Sequence, residues 1–555
     1  MPEYLVSVAI GPVQDFIAAA RRTRDLWYGS RLLSEISKSV ARSLDQAGAT
    51  LVFPHSLALK SDLAAKTRYA VANKVLAVIP ATDPSHVSDL LARAREDAHQ
   101  LLIQLSGEAL RAAKRGAFND HGLAEARFHA QLRSPAIIEF YAAWVPYQPY
   151  DHKDCRDRLE EILAARKALR DFPAWMGETG VPKSSLDGVR ETVMPQNGPD
   201  LEQHFVKKSE QLDAIGIVKR FGDRGRFDST IDVAAQPYIR KLHRTHGAGL
   251  AEYEGFFDAH RRFPKSYDYL YSHASRSDDT PAPLREIIRR ARFPEPRPPY
   301  YAFFIGDGDF MGKTISDLRL LKEHQDLSRR LSDFAAAVRQ HFDDLGEDRG
   351  ELIFAGGDDV MALLPLHNAL ETAVMIRDAF VTAMANLTKP HTFSAGMAVV
   401  HALEPLSEAR LMAQAAEKRA KAIDHKNALA ITVSPRSGAD VSVDGHWPDL
   451  LGPLQEAVQH YRDRTISQGY AHDLKAYLDS TGRRKLDHLD ETLFPVAKAM
   501  AEKKEAKRQF LDWLDAHWNL VRTEPPTRHR QALSQLANLL LVARSFGRAR
   551  REAEV

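Results

Sequence analysis

ELIFAGGDDVMALLPL (351–366) is two apolar runs separated by Gly356-Gly357-Asp358-Asp359. Two glycines tolerate the positive φ that short hairpin loops demand, so the stretch predicts two strands joined by a tight turn that presents two adjacent carboxylates. Upstream, the apolar run YAFFIG (301–306) is a further strand leading into GDGD (306–309), with helical spacing over roughly 316–345 before the hairpin. Downstream come helical sequence from about Leu370, strand FSAGMAVV (393–400), a helix around 407–423 and strand ALAITV (428–433). The order is βαββαβ. With the 301–306 strand beside the hairpin, neighbouring strands are about 4.8 Å apart and Asp307 arrives at the same edge.

The opening of the chain repeats this order: YLVSVAI (4–10), a helix from Val13 to about Arg42, ATLVFP (49–54), KVLAVI (74–79), a helix from about His86, and IIEFYAAWV (137–145). Between the two copies, turn-rich pieces such as TGVPKSSLDG and MPQNGPD give way to helix-biased sequence ending in the RSDDTPAP break. PRPPYY (296–301) fixes an extended entry into the second copy. After residue 435 the spacing of Leu533, Leu536, Leu539 and Leu540 is helical. The expected fold is therefore α+β. It comprises a first unit at 1–170, a mostly helical insert at 171–295, a second unit at 296–435 and a helical C-terminal domain at 436–555.

Composition bounds the function. A chain of 555 residues exceeds one compact core. Its 44% hydrophobic and 27% charged residues exclude wholesale disorder. The 76 basic and 74 acidic residues nearly cancel, so net charge identifies no partner. One cysteine, Cys155, allows neither an internal disulfide nor a multi-cysteine zinc site. MPEYLVSVAIGPVQ lacks a secretion pattern and no run reaches about 18 apolar residues, so a cytoplasmic protein without membrane contact is expected.

Three crowded acids raise one another's pKa unless a cation neutralises them, which favours hard divalent ions bound through oxygen. Magnesium, or manganese in its place, suits such a set, and two ions about 3.5–4 Å apart serve phosphoryl or nucleotidyl transfer. After Asp309, the residues Phe310, Met311, Gly312 and Lys313 lead into a helix start whose free N–H groups suit a triphosphate. A lone GGDD is equally a surface turn. The second acidic group, at a strand end about fifty residues upstream, argues for a metal–nucleotide site.

IGPVQDFIAAARRTRDLWYGSRLLSE (10–35), GVPKSSLDGVRE (180–191), EQLDAIGIVKR (210–220), IGDGDFMGK (305–313), FAGGDDVMALLP (354–365) and SAGMAVVHALEPLSEARLMAQAAEKRAKA (394–422) occur in that order. Together they resemble the large, polymerase-like subunit of type III CRISPR effector complexes, especially subtype III-B. The resemblance implies two ferredoxin-like palm domains, only the second catalytic. The segment PHSLALKSDLAAKTRYAVANK (54–74) of the first copy indeed has no paired acids. It also implies that Asp307, Asp358 and Asp359 hold the metals and that Gly356 and Gly357 admit the nucleotide, with Asp309, Phe310, Met311 and Gly312 beside it. Lys421 matches a triphosphate-contacting lysine of GGDEF-type cyclases, and its reading as a solvated helix lysine stays open.

The implied activity is target-RNA-activated synthesis of cyclic oligoadenylates from ATP. Guide-RNA-binding subunits, CRISPR RNA and target RNA are the implied partners. Two alternatives are a catalytically silent guide-RNA scaffold and adenylyl transfer to another acceptor such as S-adenosylmethionine. Many relatives carry an N-terminal HD nuclease domain, for which a first palm starting at about residue 4 leaves no room. The doublet His472-Asp473 lacks the further ligands such a site needs, so DNA cleavage is not expected. No zinc is expected, with TGVPKSSLDG as a structural loop in place of a cysteine site. Lys219 and Arg220 are read either as contacts to RNA or another subunit or as solvated charges.

Overall fold

In the first sheet, β1 (Glu3–Gly11) buries every residue from Tyr4 to Gly11, the continuous pattern of a strand covered on both faces. The protein is described by a computed structural model covering residues 1–116, 122–134, 137–169, 175–195, 206, 210–223, 227–260, 266–271, 280–346, 350–387, 390–483, 491–523 and 525–554. The expected boundary at 170, the stretch of MPQNGPD from residue 196 and the RSDDTPAP break up to residue 279 lie outside the described residues.

β1 is flanked by β3 (Lys74–Pro80) and β4 (Glu139–Pro146), with β2 (Thr50–Phe53) outside β3. The order is β2-β3-β1-β4, all antiparallel. Helices Thr23–Gln46 and Pro84–Gly116 cover one face, and helix His152–Ala168 covers the other through Cys155, Leu159 and Leu163.

The second sheet repeats the plan. β5 (Tyr300–Gly308), β6 (Glu351–Gly356), β7 (Asp359–Pro365), β8 (Phe393–His401) and β9 (Ala428–Val433) match the expected strands. The order β6-β7-β5-β8 reproduces that of the first sheet, so the duplication expected from element order holds in topology. β9 adds parallel to β8. A strand that the sequence reading did not contain, β10 (Val441–His446), extends the sheet antiparallel to β9 at the start of the region read as helical.

Both faces of this sheet are apolar, and further helices cover them. Helices Leu321–Asp344 and Ala369–Ala383 pack on one face, and Trp447–Arg462 and Pro526–Glu554 continue the same core. On the other face, Tyr301, Phe303, Leu363 and Ala398 meet helices Thr230–Thr245, Gly247–Ala259 and Leu406–Ala422. The later insert helices and the C-terminal region thus complete the second unit's cores, while helix Ala214–Phe221 joins the first unit's.

The two units meet where Leu321–Asp344 crosses β2. Gln325 Nε2 donates to Leu51 O at 2.8 Å and His55 N to Ser328 Oγ at 2.8 Å. Tyr69 OH lies 3.1 Å from Ser332 Oγ.

Lys219 and Arg220, on helix Ala214–Phe221, fit neither sequence expectation because both are buried. Arg220 donates to Asp25 at 2.6 and 2.8 Å and to Glu210 at 3.1 Å. Lys219 donates to the carbonyl oxygens of Ala19, at 2.8 Å, and Phe16, and burial pulls its pKa down to about 8.

Candidate functional site

Register places the acids. In β5, Gly306 faces Val360 of β7 and Asp307 faces Ser394 of β8, so β5 runs between the hairpin and β8. Across the turn Gly356 pairs with Asp359, while Gly357 takes the left-handed conformation (φ 64°) that closes it. Gly308 N donates to Asp358 O at 3.2 Å, tying the end of β5 to the turn. As a result, carboxylate oxygens of Asp307, Asp358 and Asp359 lie within 4.8 Å of one another. This is the only group of three candidate metal ligands among the described residues. His472-Asp473 is not such a group, and Asp473 pairs instead with Lys504 at 2.5 Å.

Crowding shows in the protonation. Asp358 is pushed up to about 7, first by the low polarity of its surroundings and then by the charge of Asp307. Asp359 is raised well above an ordinary carboxylate by its surroundings and by both other acids. Asp358 is half-buried and Asp359 exposed, so protein atoms packed around the cluster, and not complete enclosure, desolvate it. The raised protons belong to the interacting set more than to one residue.

Lys421 sits in this cluster, which decides against the solvated reading. Its ammonium contacts Asp307 and lies 2.6 Å from Glu417. Burial pulls its pKa down, but hydrogen bonds to Asp307 and Glu417 outweigh that and hold it above an ordinary lysine. Gly396 brings the lysine this close: a Cβ there would lie 2.1 Å from Glu417 N, so helix Leu406–Ala422 rests on the bare backbone of β8. Gly396→Ala is expected to push this helix outward at a cost of about 1–3 kcal/mol, read as a lower melting temperature. An unchanged melting temperature would contradict that packing.

Asp309 needs correction. Expected beside the nucleotide, it is fully buried, and its Oδ2 accepts from Thr392 Oγ1 at 2.8 Å, Ser394 Oγ at 2.9 Å and Asn427 N at 3.0 Å. It holds β5 to β8 and to the start of β9 and is no part of the acidic cluster. Phe310 turns the chain with φ 61° and is 47% exposed, with the Lys426 ammonium 4.3 Å from its ring centre. Met311 buries its side chain in the core, leaving only its backbone for a ligand, while Gly312 opens on free space.

Three neighbours were not singled out from sequence. Glu417 carries a signal, the i,i+4 spacing to Lys421. Lys426 follows the same helix within the loop to β9. Arg156 carries none: from the first unit's helix it donates to the carbonyls of Ile315 at 2.5 Å, Ser316 at 2.9 Å and Leu318 at 3.2 Å. It thereby satisfies the C-terminal end of helix Met311–Asp317, which follows the acidic strand. Behind the hairpin, a cleft of about 370 Å³ separates the units, lined by Trp27, Arg31, Tyr69, Ala70, Arg339 and Ala355.

Residues 300–430 match the family described as Cas10/Cmr2, second palm domain, and residues 5–109 match CRISPR-associated protein Cmr2, N-terminal. The CRISPR system Cmr subunit Cmr2 of Pyrococcus furiosus is 26% identical over 545 residues, covering 78% of this chain and 62% of that protein. The chain thus spans about three fifths of the length of that curated relative. Among solved structures, the type III-B Cmr-beta complex in its apo state gives a TM-score of 0.65 at 13% identity, over 91% of this chain and 78% of that one. The same assembly bound to cognate target RNA gives 0.61 at 13% identity, with the same coverage. A Csm1-Csm4 cassette in complex with cA4 gives 0.50 at 13% identity, over 97% of this chain and 70% of that one. The structures share the fold, and the two family matches fall on the two sheet-bearing units in chain order: the chain is similar to the Cas10/Cmr2 large subunits of type III CRISPR complexes in both.

Proposed function

We propose that the chain is the nucleotidyltransferase of a type III CRISPR effector complex, making cyclic oligoadenylates from ATP once target RNA pairs with the guide. The observation that carries this reading is the meeting of Asp307, Asp358 and Asp359 at one sheet rim with Lys421 against Asp307. The site fits divalent cations: the donors are hard oxygens, two of the acids are protonated upward in a cation's absence, and an ammonium already contacts the third.

Asp307, Asp358 and Asp359 would hold magnesium or manganese, which when bound lowers the pKa of an attacking 3′-hydroxyl and stabilises charge on the phosphates. The chain's own residues do the rest. Asp358 and Asp359 hold their shared protons between them and would release them to a cation bound there. Glu417 holds Lys421 at the cluster, where its charge suits a triphosphate. Gly357 and Gly312 keep the approach clear of side chains, while Gly356 lies bare against the Phe354 ring and Ala70. The Phe310 ring and the backbone from Met311 to Gly312 border the site, and Arg156 keeps that border in place. Asp309 has no contact role here and acts by bracing β5.

Two structural neighbours support the wider assignment, one solved with cognate target RNA and the other with cA4. Guide-RNA-binding subunits, CRISPR RNA and target RNA are accordingly the proposed partners. The test is to incubate the reconstituted complex with guide RNA, target RNA, ATP and magnesium and to weigh the products. Adenylate oligomers with released pyrophosphate are expected. An adduct of another acceptor such as S-adenosylmethionine would revise the acceptor, and no nucleotide product at all would leave a scaffold.

A further inference from the structure

The last helix, Pro526–Glu554, carries Arg544, Arg548 and Arg551 at i, i+4 and i+7, hence on one face over about 10 Å of its length. Arg544 donates to Gln468 O at 3.2 Å and Arg548 to the Gln468 side-chain oxygen, so both lie against the turn that follows helix Trp447–Arg462. Arg464 is exposed in that same turn, and Arg297 approaches from the proline-rich entry to β5. Apart from Arg464, these arginines are half-buried.

None of the five makes an ion pair among the described residues. Their neighbours differ: Arg550 pairs with Glu371, and Arg462 with Glu554 at 2.5 Å. Arginines just off this face therefore find carboxylates, while those on it do not. Arg548 is pulled down to about 10 by burial and then by Arg544, Arg297 and Arg551, as expected of cations crowded together. One acid, Glu552, lies within electrostatic reach of Arg297 and Arg551, but it accepts from the backbone of Arg297 and is pushed up by its own burial.

Half-burying several guanidinium groups side by side costs stability unless an anion completes them. A small anion cannot, because the charges run along a line. A lipid surface would want an apolar anchor, and none of the exposed large hydrophobic residues belongs to this ridge. Planar guanidinium groups suit phosphate oxygens in pairs.

We propose that Arg297, Arg464, Arg544, Arg548 and Arg551 form a track for the phosphate backbone of single-stranded RNA, bound without regard to sequence. The track is separate from the acidic cluster and does not depend on nucleotidyl transfer. The test is fluorescence anisotropy of a labelled 20-nucleotide oligouridylate with the full chain over a series of salt concentrations. Arg544→Gln/Arg548→Gln/Arg551→Gln is expected to weaken binding at least tenfold at low salt. It should also flatten the slope of log K against log salt by about 2, at roughly 0.7 per phosphate contact. Arg297→Gln, outside the helix, should flatten it by about 0.7 and carries the test if the triple variant melts early. An unchanged slope in a folded variant overturns the proposal, including where the variant has lost an acidic protein partner instead. A chain that binds RNA through this ridge but yields no nucleotide product fails the proposed function alone.

Discussion

Asp358→Ala/Asp359→Ala is expected to reduce nucleotide product by roughly a thousandfold or more, with guide and target RNA still bound. The variant removes two of three converging carboxylates. Cations held there would be worth several kcal/mol of charge stabilisation, and each 1.36 kcal/mol is a factor of ten in rate. The loss should not come from unfolding. The folded pKa of Asp358, about 7, lies above its unfolded value of 3.8. Its contribution is therefore present below about pH 4 and is lost as pH rises toward 7. Above neutrality the wild-type cluster is a mutual repulsion, so the variant should melt no earlier at pH 8 and should lose the wild type's decline between pH 4 and 7. Equal product from both proteins would remove this cluster from the chemistry.

Arg220→Ala should give the largest loss of stability. Arg220, Asp25 and Glu210 are all buried, and the arginine is the cation between the two acids. Burial pushes Asp25 up, yet the charge and hydrogen bonds of Arg220 outweigh it and leave the carboxyl below its ordinary range. Removing one partner of a buried pair strands charge in a poorly polar site and costs about 3–5 kcal/mol. Asp25 also accepts from the backbone of Arg21 and Arg22 at the start of helix Thr23–Gln46, so that helix start loosens with it. The expected readout is a melting transition lower by several degrees. A shift indistinguishable from zero would show that the buried pair contributes nothing.

What sequence conveyed was local. Alternating apolar runs, a pair of glycines and a repeated element order suffice for two βαββαβ sheets, because strands and tight turns depend on near neighbours. Asp309 failed for the opposite reason. Its hydrogen-bond partners Thr392, Ser394 and Asn427 lie 83, 85 and 118 residues on, and nothing within GDGD says that the chain turns at Phe310 and sends this side chain inward. Lys219 and Arg220 look like surface charges until Asp25, 195 residues before Arg220, is placed against them. Lys421 stayed open because Gly396, on another strand, decides how near its helix comes. β10 escaped notice since VSVDGH offers only two apolar residues, and pairing with β9 makes it a strand. The helices of the insert and the C-terminus announce apolar faces without naming the sheet they cover.

The central claim is that these acids form a cation site whose occupancy is linked to their protons. Calorimetric titration of manganese into the full chain with ATP, at pH 8 and pH 6, tests it most directly. Binding at pH 8 is expected to weaken about tenfold at pH 6, from competition with one proton near pKa 7, and to vanish in Asp307→Asn/Asp358→Ala/Asp359→Ala. Equal manganese binding by wild type and that variant, or affinity indifferent to pH, would contradict it.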